Sequence, residues 1–269
     1  MISRLFPLAK CYLARAIPVV GLFGLTLTTS LGEEPKKSEP PQSPPKIVTA
    51  RPLGVIIGTN TALTLRGYHL TNAVSAKIIG LQKPVATTLK GGIDAPKVDG
   101  RDNNQIGDQE LKLEFTLPSD APRGTNLSLV VVNSVGESAP YPLVALPGCD
   151  DAKESNRAFR EAQILSLGHW VRGTLPDSSA VHVYRVTVDA TQDVTAEVFA
   201  SRLGSTLDAA LALFDTKGTV MAQNDDAFGR DPALTFHLPA SGNYFLVVTS
   251  VNERSSKIDD YLLRVDRKP

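Results

Sequence analysis

The chain has 269 residues, and its 28 basic side chains balance 28 acidic ones, so its formal net charge is zero. A protein without a basic excess has no long-range field that attracts nucleic acid, so the composition disfavours nucleic-acid binding. Hydrophobic residues make up 42% of the chain, which is enough for a packed core. The 20 glycines and 19 prolines favour strands joined by turns.

Residues 1–32 have the pattern of a secretory signal peptide. Arg4, Lys10 and Arg15 make a basic beginning, and the apolar run 16–27 follows it. This run is shorter than the roughly 20 residues that a membrane-spanning helix needs, which favours cleavage over a retained anchor. We therefore predict an exported mature protein that is secreted, periplasmic or held at the cell surface, without a transmembrane segment.

Residues 33–46 are rich in proline and charge and contain no large apolar side chain. Such a segment cannot bury a core, so we predict an extended, disordered linker here. Its expected role is to hold the folded part of the protein away from the N-terminal end of the chain.

Residues 47–147 have the pattern of an all-β domain. Leu111, Leu113 and Phe115 alternate with polar residues, which is the period of a half-buried strand. Several such short runs are separated by turn residues, and this arrangement is typical of a β-sandwich. The span 90–108 is rich in Gly, Asp and Asn, and we expect it to form a long mobile loop.

The order of short motifs in this first region resembles bacterial immunoglobulin-like modules of the IPT/TIG kind. The resemblance implies an immunoglobulin-like β-sandwich. The matching motifs are R-P-L-G-V at 51–55, L-T-L-R-G-Y-H-L at 63–70, P-S-D-A-P-R-G-T at 118–125 and V-N-S-V-G-E-S at 132–138.

Residues 148–163 are polar and charged, and we predict that they link two domains. The segment contains Cys149, the one cysteine that follows the predicted leader. A single cysteine cannot form an internal disulfide, so the fold must be held together by its cores. Cys149 is either an inert linker residue, which we favour, or a reactive or intermolecular thiol.

Residues 164–269 predict a second all-β domain. Leu234, Phe236 and Leu238 alternate with polar residues, and Tyr184 and Val186 share one face of another strand. Turn residues separate these runs, as in a sandwich.

The motifs of this second region resemble the bacterial pre-peptidase C-terminal domain. The resemblance implies a jelly-roll-like β-sandwich of secreted bacterial proteins, often proteases, with a role in binding, secretion or stability. The matching motifs are G-T-L at 173–175, V-Y-R-V at 183–186, L-A-L-F-D at 211–215, N-D-D at 224–226, L-P-A-S-G-N-Y at 238–244 and Y-L-L-R-V at 261–265.

A calcium site is the sharpest chemical hypothesis. Asn224, Asp225, Asp226 and Asp231 offer side-chain oxygens within one short loop, and Gly229 lets the chain curl. Ca²⁺ takes about 6–8 oxygen ligands of this kind. The alternative is that these side chains bond the backbone N–H groups of their own turns.

The family resemblance also implies a second location for calcium, between the linker and the first tyrosine-containing strand. Glu154 and Asn156 match the linker ligands of that pattern. The acids expected before the strand are replaced by S-A-V-H-V-Y at 179–184, which disfavours calcium there.

No catalytic motif emerges from the sequence. The four histidines are His69, His169, His182 and His237, without an H-E-x-x-H zinc motif or a G-x-S-x-G nucleophile elbow. We therefore predict a non-catalytic accessory or binding protein whose partner is a protein or a component of the cell envelope. The alternatives are a calcium-stabilised module that binds carbohydrate or matrix protein, and a divergent secreted hydrolase whose catalytic residues are scattered along the chain.

Overall fold

The computed structural model describes residues 43–251 and 255–268, and it confirms the predicted all-β class. The predicted signal peptide 1–32 and most of the predicted linker 33–46 lie outside the described residues. The strands form two β-sandwiches, which we call the first module (46–146) and the second module (150–267). Within the described residues, no helix is long and apolar enough to cross a membrane.

The first module consists of eight strands and one short helix. They are β1 (Lys46–Arg51), β2 (Val55–Ile56), β3 (Asn60–Tyr68), β4 (Ser75–Ile79), β5 (Thr87–Asp94), α1 (Asn103–Ile106), β6 (Gln109–Thr116), β7 (Gly124–Val132) and β8 (Tyr141–Leu146). Two four-stranded sheets pack together, with the orders β1-β3-β6-β5 and β2-β8-β7-β4.

The alternation predicted for β6 is confirmed. Leu111, Leu113 and Phe115 are at most 3% exposed and lie in the core between the two sheets, whereas Lys112 faces outward. The outward face of the sheet that contains β6 is therefore polar, and it becomes one wall of the candidate site described below. The immunoglobulin-like assignment of this module stays a prediction.

The prediction of a long mobile loop at 90–108 is wrong. Its beginning belongs to the edge strand β5, and α1 follows with the Asp102 side chain accepting a hydrogen bond at its N-terminus. Arg66, which is 3% exposed, donates from Nε to the carbonyl of Gly107 and from Nη2 to Asn103 Oδ1. The turn-rich composition indicated a loop because it could not show the hydrogen bonds from Arg66, which lies on the distant strand β3 and holds the segment in place.

The described part of the second module contains ten strands and two 3₁₀ turns. The strands are β9 (Asp150–Asp151), β10 (Gln163–Ile164), β11 (Trp170–Thr174), β12 (His182–Val188), β13 (Gln192–Phe199), β14 (Ala209–Phe214), β15 (Val220–Asn224), β16 (Ala233–Leu238), β17 (Gly242–Ser250) and β18 (Asp260–Arg267), and the 3₁₀ turns are Phe159–Glu161 and Ser201–Leu203. Two five-stranded sheets pack together, with the orders β10-β12-β17-β14-β15 and β16-β13-β18-β11-β9.

The segment predicted as a linker, 148–163, takes part in the second module. Its residues Asp150 and Asp151 pair in parallel with β11, and Gln163 pairs with β12. The Gln163 amide holds the segment in place, since it accepts from the N–H of Lys153 and donates to the carbonyl of Asp151. This segment therefore has a fixed path along the edge of the sandwich.

The core of the second module lies between its two sheets. Tyr184, Tyr244 and Tyr261 are at most 7% exposed and belong to this core. On β18, Tyr261 and Leu263 point into this core, so the alternation of the strand turns Leu262 to the opposite face. Leu262 is nevertheless fully buried, which means that another part of the protein covers the outer face of this sheet.

Candidate functional site

The first module covers that outer face through a shared group of apolar side chains, here called the interface cluster. Its members are Leu53, Val144 and Leu146 of the first module and Trp170, Phe199, Leu203 and Leu262 of the second. All are at most 8% exposed. Trp170 is the chain's single tryptophan, and its ring centroid lies 5.1 Å from that of Phe199. Burial of each large apolar side chain contributes about 1.5–3 kcal/mol, so the cluster favours a docked pair of modules.

Two glycines allow the backbones of the modules to approach closely at this cluster. Gly54 has φ +78, and a Cβ there would lie 2.5 Å from Leu146 Cδ1 and 3.3 Å from Leu262 Cδ1. Gly204 also has φ +78, and a Cβ there would lie 2.8 Å from the Tyr141 hydroxyl. Both positions therefore need a residue without a side chain and with access to the left-handed region.

A buried tyrosine ties the backbones together. The Tyr141 hydroxyl accepts a hydrogen bond of 3.0 Å from the N–H of Ala50 and donates one to the carbonyl of Leu203 in the second module. Burial raises the pKa of Tyr141 to about 12, so the group stays neutral throughout the physiological range. Both the donor and the acceptor of this buried hydroxyl are satisfied.

Two adjacent aspartates at the start of β18 each bind an arginine of the first module. Arg51 makes a bidentate pair with Asp260, with distances of 2.5 Å from Nε and 2.9 Å from Nη2 to the carboxylate oxygens. Arg101 Nη2 lies 2.5 Å from Asp259 Oδ2, and Asp259 is fully buried. Bidentate and buried charge pairs of this kind are among the stronger polar contacts, and removing one partner leaves an uncompensated charge.

Beside these contacts, the modules enclose a cleft of about 860 Å³. One wall is the outward polar face of β1, β3 and β6, where Thr64 and Lys112 lie. The other wall is formed by β11 and by the chain around Glu154 and Arg157. This volume is near the upper end of the roughly 300–1,000 Å³ typical of ligand pockets. Neither module could form the cleft alone.

Several charges that line the cleft neutralise one another. Arg172 Nε lies 2.5 Å from Asp151 Oδ1, and this hydrogen bond raises the pKa of Arg172. Arg66 Nη1 lies 3.6 Å from Glu110 Oε1, although burial lowers the pKa of Arg66. Together with the Arg51–Asp260 pair, these contacts occupy most of the charged side chains of the two walls.

Among the residues that the structure describes, two cations that line the cleft lack such a partner. Lys112 is exposed on the outward side of β6, and Arg157 is exposed in the segment before the first 3₁₀ turn. Arg157 Nε donates to the backbone carbonyl of Glu154 over 3.1 Å. Among the described residues, no carboxylate lies within ion-pair distance of Lys112 or of the Arg157 Nη groups. These two side chains remain available to a ligand.

A buried histidine and two tyrosines lie beneath the cleft. The His182 Nδ1 atom is 2.6 Å from the Tyr261 hydroxyl, which is 2.5 Å from the Tyr184 hydroxyl. Burial, with a smaller contribution from Arg157, lowers the pKa of His182 to about 4. Burial also raises the pKa of both tyrosines. The three side chains are therefore neutral near pH 7 and serve as a hydrogen-bonded support.

The structure separates the residues predicted to bind calcium in the 224–231 loop. Asp225 and Asp226 are exposed, and Asn224 Oδ1 accepts from the backbone N–H of Ala233 over 3.1 Å. Asp231 is fully buried and lies 2.9 Å from Arg202 Nε. It also accepts from the backbone N–H groups of residues 201 and 202, so a cation there would compete with an existing network. The calcium site stays a prediction.

Glu154 and Asn156, which suggested the second calcium location, have different surroundings. Asn156 is fully buried, and neither polar atom of its side chain has a hydrogen-bond partner. Glu154 is exposed and lines the cleft. Within the described ranges, no group of three or more His, Cys, Asp or Glu side chains is close enough to hold a metal ion.

Two of the four histidines, His182 and His237, and the cysteine Cys149 have well-defined contacts. His182 bonds Tyr261, whereas His237 Nδ1 lies 2.6 Å from Asp193 Oδ1 on the exposed surface, across the β13–β16 pair. Cys149 is half-buried against the interface cluster, and burial raises its pKa to about 11. The thiol is therefore protonated and a poor nucleophile at neutral pH.

Sequence reasoning missed the cleft altogether. Arg51 and Asp260 lie 209 residues apart along the chain, and no local motif joins them. One signal was present: Leu262 and Trp170 add large apolar side chains to the outward face of a sheet that would otherwise be polar. Trp170 is 6% exposed and packs within the interface cluster.

Comparison with known proteins defines the second module further. The family model described as the bacterial pre-peptidase C-terminal domain matches residues 180–250. The second module therefore contains a pre-peptidase C-terminal domain. This confirms the resemblance predicted for the second region, and the structure shows that the domain packs against another β-sandwich. His182, which lines the cleft, lies within the matched range 180–250. Most residues of the interface cluster lie outside this range.

One curated relative is a probable subtilase-type serine protease of Deinococcus radiodurans. It is 36% identical over 125 residues, which cover 42% of this chain and 17% of the relative. The chain therefore aligns with only a small part of that protein.

Three solved structures are also similar to this chain. The pre-peptidase C-terminal domain of a Bacillus anthracis collagenase is 19% identical, with a TM-score of 0.33, covering 39% of this chain and 94% of its own. The secreted serine protease VesC from Vibrio cholerae is 12% identical, with a TM-score of 0.28, covering 80% and 48%. The Bacteroides ovatus protein SGBP-B, in complex with a mixed-linkage heptasaccharide, is 8% identical, with a TM-score of 0.24, covering 78% and 73%.

Proposed function

We propose that this chain is an exported, non-catalytic binding protein whose two modules act as one body and hold a ligand in the cleft between them. The observation that carries the proposal is the cleft itself, a space of about 860 Å³ with walls from both modules. The partner is a protein or another component of the cell envelope. Export rests on the leader pattern of residues 1–32 and on the pre-peptidase C-terminal domain.

A binding role fits the chemistry of the groups that surround the cleft. His182, the histidine that lines it, is kept neutral and bonded to a tyrosine, and the pKa of about 4 makes it a weak base at pH 7. An efficient general base has a pKa near the working pH. The exposed cations Lys112 and Arg157 suit recognition of a polar ligand rather than proton transfer.

A photo-crosslinking experiment tests this proposal. Thr64, on the cleft wall, is replaced by p-benzoylphenylalanine, and the mature protein is irradiated with an envelope fraction of the bacterium of origin. The matched control carries the same group at Thr235, which is exposed on β16 away from the cleft. We expect an adduct from position 64 that is absent from position 235.

Two results would overturn the proposal. Equal labelling from both positions, or none from position 64, would exclude the cleft as the binding site. A partner recovered from position 64 in cleaved form, at a fixed bond and only with active protein, would show that the chain is a hydrolase instead.

Calcium binding at 224–231 remains a separate prediction. The exposed carboxylates of Asp225 and Asp226 beside the Asn224 amide support it. In this alternative, calcium would stabilise a module that binds carbohydrate or matrix protein.

A further inference from the structure

The two unpaired cations of the cleft come from different modules. Lys112 extends from the outward face of β6 in the first module, and Arg157 lies between β9 and β10 in the second. Each is exposed, and the other arginines of the cleft already have carboxylate partners. A ligand that satisfies both must therefore extend across the boundary between the modules.

From this arrangement we infer that the cleft binds an extended acidic peptide segment, with carboxylates seated on Lys112 and Arg157. The inference rests on the proposed binding function and gives it a ligand class. Charge-assisted hydrogen bonds to carboxylates are about twice as strong as neutral ones, and arginine can engage a carboxylate with two parallel bonds. The exposed Glu154 beside Arg157 has no ion-pair partner among the described residues, and it would accept a backbone N–H or a basic residue of the peptide.

The size and lining of the cleft favour a peptide over other anions. A volume of about 860 Å³ far exceeds that of an inorganic anion. A sugar packs best on an exposed aromatic face, yet Tyr261, the one aromatic phenol among the described lining residues, is fully buried.

Fluorescence anisotropy with a labelled hexaglutamate peptide tests the inference on the full mature chain at low salt. Hexalysine and a hexagalacturonate are the comparison probes. Lys112→Gln and Arg157→Gln should each weaken hexaglutamate binding by about tenfold, the factor that corresponds to loss of about 1.4 kcal/mol from one charged hydrogen bond. Lys217→Gln is the matched control, because it removes an exposed cation of the β14–β15 turn that does not line the cleft.

The outcomes separate this inference from the function on which it rests. If hexaglutamate fails to bind, or if Lys217→Gln weakens binding as much as the cleft variants do, the acidic-peptide inference is wrong, while crosslinking from position 64 can still succeed. If hexagalacturonate binds with the same dependence on Lys112 and Arg157 and hexaglutamate does not, the ligand is an acidic sugar and the peptide class is overturned. Binding that weakens with added salt and with both cleft variants supports the inference.

Discussion

The Leu262→Ala substitution should undock the two modules while leaving the core of the second module intact. Leu262 is fully buried, but its contacts lie in the interface cluster with Leu53 and Leu146 rather than between the two sheets. A Leu→Ala change at a buried site costs about 2–5 kcal/mol. Since the cavity opens between the modules, this cost falls on the docked arrangement, and it lowers the docking equilibrium constant by a factor of roughly 30 to several thousand.

The adjacent residue provides the matched control. Leu263 is equally buried but points into the core of the second module, so Leu263→Ala should destabilise that module itself by a similar amount. The two substitutions are adjacent on the same strand, but Leu262→Ala removes packing from the outer face of the sheet and Leu263→Ala from its inner face.

Trp170 reports on docking because it is the only tryptophan and lies at 6% exposure in the interface cluster. In urea, Leu262→Ala should show a red shift of tryptophan emission and stronger acrylamide quenching before the far-UV circular dichroism of the strands is lost. In wild type and in Leu263→Ala the two signals should change together. If the two signals also coincide in Leu262→Ala, the cluster does not control docking and the reasoning is refuted.

Three further outcomes are expected. The pKa of His182 falls from 6.5 to about 4 on folding, so its contribution to the free energy of unfolding is fully present above pH 6.5 and is lost as pH falls towards 4, by on the order of 3 kcal/mol. His182→Gln should flatten this decline in urea unfolding measured from pH 7 to 4. An unchanged slope would contradict the assignment. Tyr141→Phe removes the acceptor for Ala50 and the donor for Leu203, and a loss of about 1–3 kcal/mol is expected by urea unfolding, with no loss counting against the bridge. If the 224–231 loop binds calcium, Ca²⁺ should raise the melting temperature relative to EDTA and Asp225→Asn should abolish the rise; no shift would end the calcium prediction.

Much of the fold could be predicted because each strand carries its own period. The alternation of Leu111, Leu113 and Phe115 and the shared face of Tyr184 and Val186 identified core faces without any tertiary information. The same reasoning failed for 90–108, where glycine and asparagine indicated a loop. The local composition could not show that Arg66 and Asp259 would bind this segment from distant parts of the chain.

The candidate site could not be predicted, for a related reason. In the run Y-L-L-R-V at 261–265, the pattern shows which residues face one core but not that the opposite face is covered by a second module. Lys112 looks like an ordinary solvent-facing lysine of a strand, and Arg157 like a residue of a polar linker. Their shared location follows only from the packing of two sandwiches against each other.

Because the walls of the cleft belong to different modules, docking and ligand affinity must be linked. A ligand that needs both walls binds only the docked form, so its apparent affinity falls in proportion to the docked fraction. If Leu262→Ala left one molecule in ten docked, hexaglutamate would bind about tenfold more weakly, although Leu262 does not line the cleft. The effect must also run in reverse, since ligand at 100 times its dissociation constant would stabilise the docked form by about 2.7 kcal/mol. Added hexaglutamate should therefore return the Trp170 emission of Leu262→Ala towards that of wild type, whereas Lys112→Gln in the same background should prevent this return.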